Sequence, residues 1–186
     1  MSDQILSPAT ITIRPSREGD MTAVTAIYRH HVLTGTASFE TEAPDLLEML
    51  RRRADLLDRG MPHLVLVQDG TVRGYAYAGP YRPRAAYRDT VENSVYLAAD
   101  AIGLGFGRRL LEALIEDCTT RGLRQMVAVV GDSANLPSIR LHERLGFRTV
   151  GTLAAVGFKH GRWLDTVLLQ RALGPGDGVP PAARAE

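Results

Sequence analysis

Apolar and polar positions alternate through Ile11-Thr12-Ile13-Arg14 and stop at Pro15, which predicts a first strand. Asp20 is placed to cap a helix over Met21 to Leu33, with Val24, Ile27, Tyr28 and His31 near one face. A loop of small residues carrying Phe39 follows. Pro44 at the first helical position predicts a second helix that runs to about Arg59 and stops at Gly60. Leu64 to Gln68 and Val72 to Ala78 read as strands joined by Asp69-Gly70, a two-residue hairpin signal. Gly79 to Asp89 reads as a loop. From Thr90 to Leu97 a strand pattern carries polar Glu92, Asn93 and Ser94 among Val91, Val95, Tyr96 and Leu97. Arg108 to Arg121 reads as an amphipathic helix. Gln125 to Val130 is a short apolar run suited to a fully buried strand. Asn135 to Leu145 is a helix ended by Gly146, and Thr149 to Phe158 pairs with Trp163 to Gln170 around His160-Gly161. The order β-α-α-β-β-β-α-β-α-β-β predicts an α/β (α+β) fold with a mixed sheet and helices on both faces.

Between Leu97 and the third helix lies the stretch on which the rest turns. A connector, Ala98 to Ile102, leads into Gly103-Leu104-Gly105-Phe106-Gly107. Strand, glycine turn, helix is the plan of an anion site. Glycine lets backbone approach a ligand closely, and the first helical N–H groups have no internal partner. Arg108 and Arg109 add positive charge. A Walker loop would need Gly-Lys-Ser/Thr here, and a dinucleotide fingerprint would need G-x-G-x-x-G; neither fits. A turn with no ligand is the competing reading.

Composition narrows the classes. At 186 residues the chain fits one domain, and a formal net charge of +1 gives no reason to expect a nucleic-acid or acidic-membrane surface. The single cysteine, Cys118, cannot form an internal disulfide or a cysteine cluster for zinc. No apolar run reaches the roughly 18 residues of a membrane span. Met1 to Ala9 lacks the pattern of a signal peptide, so the cytoplasm is the expected location. Gly174 to Glu186, rich in Gly, Pro and Ala, reads as a disordered tail. The expected domain is 10–172, with 1–9 and 173–186 as flexible termini.

Several residue types carry candidate chemistry. Glu92 is a carboxylate in an otherwise apolar strand, where burial raises its pKa toward a range useful for a base at neutral pH. A salt bridge to Arg84 or Arg88 is the alternative. Arg82, Arg84 and Arg88 share one loop, and guanidinium groups bind carboxylates and phosphinates bidentately. With Phe39, Tyr75, Tyr81 and Tyr87 they would hold and shape an acidic acceptor; a solvated basic loop is the plainer reading. Adjacent His30 and His31 point in different directions on a helix and have no partners at ligand spacing, so no metal is expected. Trp163 reads as core or dimer contact.

The window Ile102-Gly103-Leu104-Gly105-Phe106-Gly107 resembles the acyl-CoA loop of the GNAT superfamily of N-acetyltransferases, with Ile102 where that family carries a basic residue. The resemblance extends through Ile27-Tyr28-x-His30-His31, Thr36-x-Ser38-Phe39, Gly74-Tyr75-Ala76-Tyr77-Ala78-Gly79-Pro80-Tyr81-Arg82, Thr90-Val91-Glu92-x-Ser94-Val95-Tyr96, Arg140-Leu141-His142-Glu143-x-Leu145-Gly146-Phe147 and Gly157-Phe158-Lys159-His160-Gly161-Arg162-Trp163-Leu164-Asp165. These blocks are similar to the phosphinothricin and methionine sulfoximine branch.

That resemblance implies a GNAT-type, mostly antiparallel sheet, acetyl-CoA as donor, a small amino-acid-like acceptor, and a homodimer. It implies that Gly103, Leu104, Gly105, Phe106, Gly107 and Arg108 hold the donor's pyrophosphate. Backbone groups of Val95, Tyr96 and Leu97 would meet its acyl arm, with Asn135 and Ser138 beside the arm. It places the catalytic glutamate at Glu92 and puts His142 where many members have a tyrosine that protonates the leaving thiolate. A histidine near pKa 6.5 serves there as acid or base, or else only packs in its helix. Acceptors of another kind, namely protein N-termini, lysine or aminoglycosides, and a non-catalytic acyl-CoA sensor remain open alternatives.

Overall fold

The computed structural model describes residues 10–181. Its strands are β1 (Ile11–Pro15), β2 (His63–Gln68), β3 (Thr71–Pro80), β4 (Thr90–Leu97), β5 (Gln125–Gly131), β6 (Arg148–Lys159) and β7 (Arg162–Ala172). They form one seven-stranded sheet in the order β1-β2-β3-β4-β5-β7-β6. All pairs are antiparallel except β4 with β5. The helices are α1 (Met21–Thr34), α2 (Leu46–Asp58), α3 (Phe106–Thr120) and α4 (Leu136–Arg144).

Strand alternation divides the core in two. Leu64, Leu66, Ala76 and Val91 face α3, whose Leu110, Leu111 and Leu114 are fully buried. Val65, Tyr75 and Tyr96 face α1 and α2, against Met21, Val24 and Met49. The expected mixed sheet, covered on both faces, is what forms.

The turns follow their residue types. Asp69 and Gly70 both take positive φ (49° and 79°), as do His160 and Gly161 (51° and 74°), the geometry a tight hairpin requires. Element ends differ from expectation where a side chain has a better partner. Asp20 does not cap α1; its carboxylate accepts from Arg14 at 2.7 and 2.8 Å and from the Arg17 N–H at 2.7 Å. Pro44 precedes α2 rather than opening it. Asp45 is the cap and accepts from the Glu48 N–H at 2.8 Å. The third helix starts at Phe106 rather than Arg108, because Gly105 itself takes the N-cap position.

The expected tail is also shorter. Leu173 is buried, and the Arg124 guanidinium donates to the carbonyls of Gly176 (2.8 Å) and Val179. That fork satisfies backbone that would otherwise be free, so the ordered chain continues past Ala172. The segments 1–9 and 182–186, expected as flexible termini, lie outside the described residues.

His63, at the start of β2, is 4% exposed, and burial, with the charge of Arg53 second, pushes its pKa down to about 4. A depressed histidine binds its proton more readily when the chain unfolds. Its contribution is therefore complete above about pH 6.5 and is lost as pH falls toward about 4, on the order of 3 kcal/mol. Urea titrations of wild type and His63→Gln across that window should show the wild type losing the larger share of its stability.

Candidate active site

The site begins with two strands that part. β4 and β5 pair only from Thr90↔Gln125 to Asn93↔Ala128. Beyond that register β4 stays with β3 as far as Leu97, and β5 stays with β7 as far as Gly131. The gap is a cleft of about 860 Å³, lined by Ser94 to Leu97 on one side and Val129 to Gly131 on the other. The backbone of Val95, Tyr96 and Leu97 therefore borders an opening, and a ligand there would stand where a strand is missing.

The glycine turn forms the end of this cleft. Gly103 and Gly105 have φ of 85° and 79°, which a side chain would resist. The Arg109 N–H returns to Gly105 C=O at 3.3 Å, so the N–H groups of Phe106, Gly107 and Arg108 precede the first helical bond. Gly107 leaves room for Leu141, whose Cδ2 would lie 3.4 Å from a Cβ there. Arg108 lines the cleft and pairs with Glu112 at 2.8 Å. Neither the half-exposed Leu104 nor Phe106, which is buried in the α3 core, lines the cleft.

On the far wall Asn135 caps α4 and accepts from the Ser138 N–H at 3.4 Å; both residues line the cleft. One turn later His142 is 5% exposed. Its Nδ1 lies 2.8 Å from the Ser138 carbonyl, which only accepts, so Nδ1 carries the proton. Burial lowers the imidazole pKa. Neutral Nε2 then accepts from the Asn93 amide at 2.9 Å. In this tautomer His142 orients Asn93 and has no proton to give through Nε2. Asn93 Oδ1 is left buried without a partner at the apex of the splay.

Glu92 stands one residue earlier and, by strand alternation, on the opposite face of the sheet from Asn93 and His142. It does not line the cleft itself but sits beside Ser94, which does. Burial raises its pKa, and the charge of Arg82 opposes the rise. Of the arginine loop, Arg82 is the member whose field reaches Glu92; its guanidinium also lies 5.0 Å from the Tyr81 ring. Tyr87 packs edge-on to Tyr81 at 5.8 Å, while Arg84 precedes the short 3-10 turn Ala85–Tyr87 and is exposed. Arg88 lies beside Asp89 rather than Glu92, at 3.7 Å.

Phe39 covers the ends of β5 and β6. Its ring occupies the space that a Cβ on Gly157 would take, and one on Gly131 would stand 2.9 Å from its Cε1. Tyr75 is a correction. It is fully buried under α1 and α2, away from the cleft, because its place in β3 opposite Tyr96 turns it into that core.

Three residues that the sequence did not assign to the site belong to this region. Asn93 was visible only as a polar interruption of a strand. His31 lines the cleft and donates from Nε2 to the Leu97 carbonyl at 2.8 Å, and burial lowers its pKa. Lys159 is buried and donates to the Ser38 carbonyl at 2.6 Å; desolvation lowers its pKa against the pull of Glu40.

Residues 24–147 match the model of the acetyltransferase (GNAT) family. A phosphinothricin N-acetyltransferase of Alcaligenes faecalis is 54% identical over 176 residues, covering 95% of this chain and 89% of that protein. An L-methionine sulfoximine/L-methionine sulfone acetyltransferase of Pseudomonas aeruginosa is 40% identical, covering 91% and 98%. Among solved structures, a GNAT superfamily phosphinothricin acetyltransferase of Sinorhizobium meliloti in complex with AcCoA superposes with a TM-score of 0.90. It is 45% identical and covers 93% of this chain and 94% of its own.

The geometry at His142 makes a spectroscopic prediction. Imidazole ¹⁵N shifts should show the Nδ1–H tautomer, and a titration midpoint below the ordinary histidine value. A midpoint at or above about 6.5 would contradict the burial argument.

Proposed function

The chain belongs to the acetyltransferase (GNAT) family, and from that premise we propose that it moves an acetyl group from acetyl-CoA to the amine of a small amino acid or analogue of the phosphinothricin or methionine sulfoximine type. One observation carries this reading. β4 parts from β5 beside a glycine turn at a helix N-terminus, with a desolvated carboxylate just ahead of the parting.

The residues divide the work. The thioester supplies an activated acetyl group. The N–H groups from Phe106 to Arg108 and the Arg108 charge suit a pyrophosphate. Asn135, Ser138 and the edge of β4 offer polar groups to an amide-bearing arm. Glu92 takes a proton from the acceptor's ammonium, directly or through water, because an ammonium has no lone pair with which to attack. Arg82 holds the acceptor's acidic end and keeps Glu92 from rising too far; Tyr81, Tyr87 and Phe39 border that pocket.

We also read the exposed face of β6 and β7 as the seat of a second copy of this chain. Val150, Leu153, Val156, Phe158 and Trp163 are each at least half exposed on neighbouring strands, an unusual apolar row for a monomer.

Thiol release from acetyl-CoA with phosphinothricin or methionine sulfoximine is the direct test. Glu92→Gln should lower kcat at least about 100-fold while calorimetry still shows acetyl-CoA binding. Because Glu92 titrates above its ordinary value, kcat/KM in the wild type should fall as pH drops through that raised pKa, and the acid limb should vanish in the glutamine variant. An unaltered rate removes Glu92 from the mechanism. Light scattering should give twice the chain mass for the wild type and the single mass for Phe158→Glu/Trp163→Glu.

A further inference from the structure

A second cavity of about 300 Å³ lies beneath α2, on the sheet face opposite α3 and α4. Its floor is a row of near-parallel rings. His63 stacks with Tyr75 at 5.7 Å and with Tyr77 at 5.8 Å, their planes within 14°. Met49, Leu56 and Pro80 form an apolar wall, and Arg52, Arg53 and Arg59 are the cationic lining. Tyr77 lines this cavity and not the cleft, and its hydroxyl bonds Ser94, which lines the cleft.

Two floor residues are incomplete. Tyr75 and His63 are 0% and 4% exposed, yet Tyr75 Oη and His63 Nδ1 have no hydrogen-bond partner. A buried hydroxyl without a partner is destabilising, so such atoms are uncommon in folded chains and each calls for an explanation. Burial keeps the Tyr75 phenol protonated, which makes it a donor that lacks an acceptor. The charge around it favours an anion. Arg52 is already held by Glu40 and Glu48, and Arg53 by Ser16. Arg59 is exposed and forms no ion pair among the described residues. The one carboxylate in the lining, Asp55, is taken by Arg51 at 2.8 Å.

We propose that this cavity is a second ligand site, apart from the acetyl-transfer cleft, for a small carboxylate with a compact apolar body. The carboxylate accepts from Tyr75 and meets Arg59, while the body lies against Met49, Leu56 and Pro80. Two sources supply such a molecule: an N-acylated amino acid, which is the reaction's own product class, or an unrelated aromatic acid.

Calorimetry on the full chain with N-acetylmethionine, phenylacetate and 2-phenylethylamine tests the proposal. At least one acid should bind and the amine should not; which acid binds identifies the source. Tyr75→Phe should weaken that binding at least about tenfold, the size expected for a hydrogen bond to a charged group. Its ligand-free melting temperature should not fall, and should rise if anything, since the lost hydroxyl had no partner. Arg59→Gln, at an exposed position, should weaken binding without affecting folding. Absence of binding by both acids, or equal binding to Tyr75→Phe, overturns the proposal. A lower melting temperature for ligand-free Tyr75→Phe overturns it too, because the hydroxyl would then be satisfied without a ligand. Inhibition of acetyl transfer by phenylacetate that is purely competitive with the acceptor amine would place the acid in the cleft and equally overturn it.

Discussion

The site depends on a pair of strands that do not finish pairing. A parallel pair normally continues until one strand ends, because each unpaired backbone group in a sheet interior is costly. Here β4 is bound to β3 and β5 to β7 along their full lengths, while the two meet over four register pairs only. The outer strands thus hold the inner ones apart. At the open end His31 supplies the Leu97 carbonyl with the donor that a neighbouring strand would have given. The cleft is therefore a stable part of the fold, prepared before any ligand arrives, and its polar backbone edge is the natural partner for an amide-bearing arm.

Alternation along β4 then assigns the chemistry to opposite faces. Glu92 and Ser94 look toward α1 and α2; Asn93 looks toward α4. Desolvation acts on both faces with opposite consequences for charge. It lifts the Glu92 pKa, making that carboxylate a better base, and it lowers the His142 pKa, leaving that imidazole neutral. A neutral histidine whose one proton, on Nδ1, is donated to the Ser138 C=O acts through Nε2 as an acceptor for Asn93. The two groups expected to act as base and acid thus stand differently: burial raises the carboxylate's pKa, while the imidazole stays neutral and orients an amide.

Much of this was legible in the sequence. The glycine turn, the strand before it and the helix after it were marked by residue type, and Glu92 by being a carboxylate in apolar company. Tyr75 and Tyr77 share a strand face, which the sequence shows. That α1 and α2 close over Tyr75 depends on how helices far away in sequence settle, so its removal from the cleft was not readable. His31 gave a helical-face signal that fits core and cleft equally; only the loss of a strand beside Leu97 decides between them. Leu104 and Phe106 sit inside the right motif, but their side chains follow the start of α3, which Gly105 moved two residues earlier than the hydrophobic pattern did. Lys159 looked like a hairpin residue, and nothing local reveals that its ammonium ends on a carbonyl 121 positions away.

The last constraint concerns how a sheet parted in the middle stays rigid. Besides the short β4–β5 ladder, the loop between α1 and α2 joins the halves. On one side Tyr28 donates to Glu40 and bonds Ser38, and Arg52 holds Glu40. On the other, Lys159 donates to the Ser38 carbonyl, and the Phe39 ring fills the space left by the missing side chains of Gly131 and Gly157. A buried ammonium is costly unless bonded, and spending one on a loop carbonyl makes sense if the loop must not lift. The tie crosses next to the mouth of the cleft, over the end of β5. The same loop thus ties together the two halves that strand pairing leaves apart and borders the cleft at Ala37. Rigidity of the sheet and shape of the entrance are set by the same few contacts, so a change at Ser38, Phe39 or Lys159 alters both together.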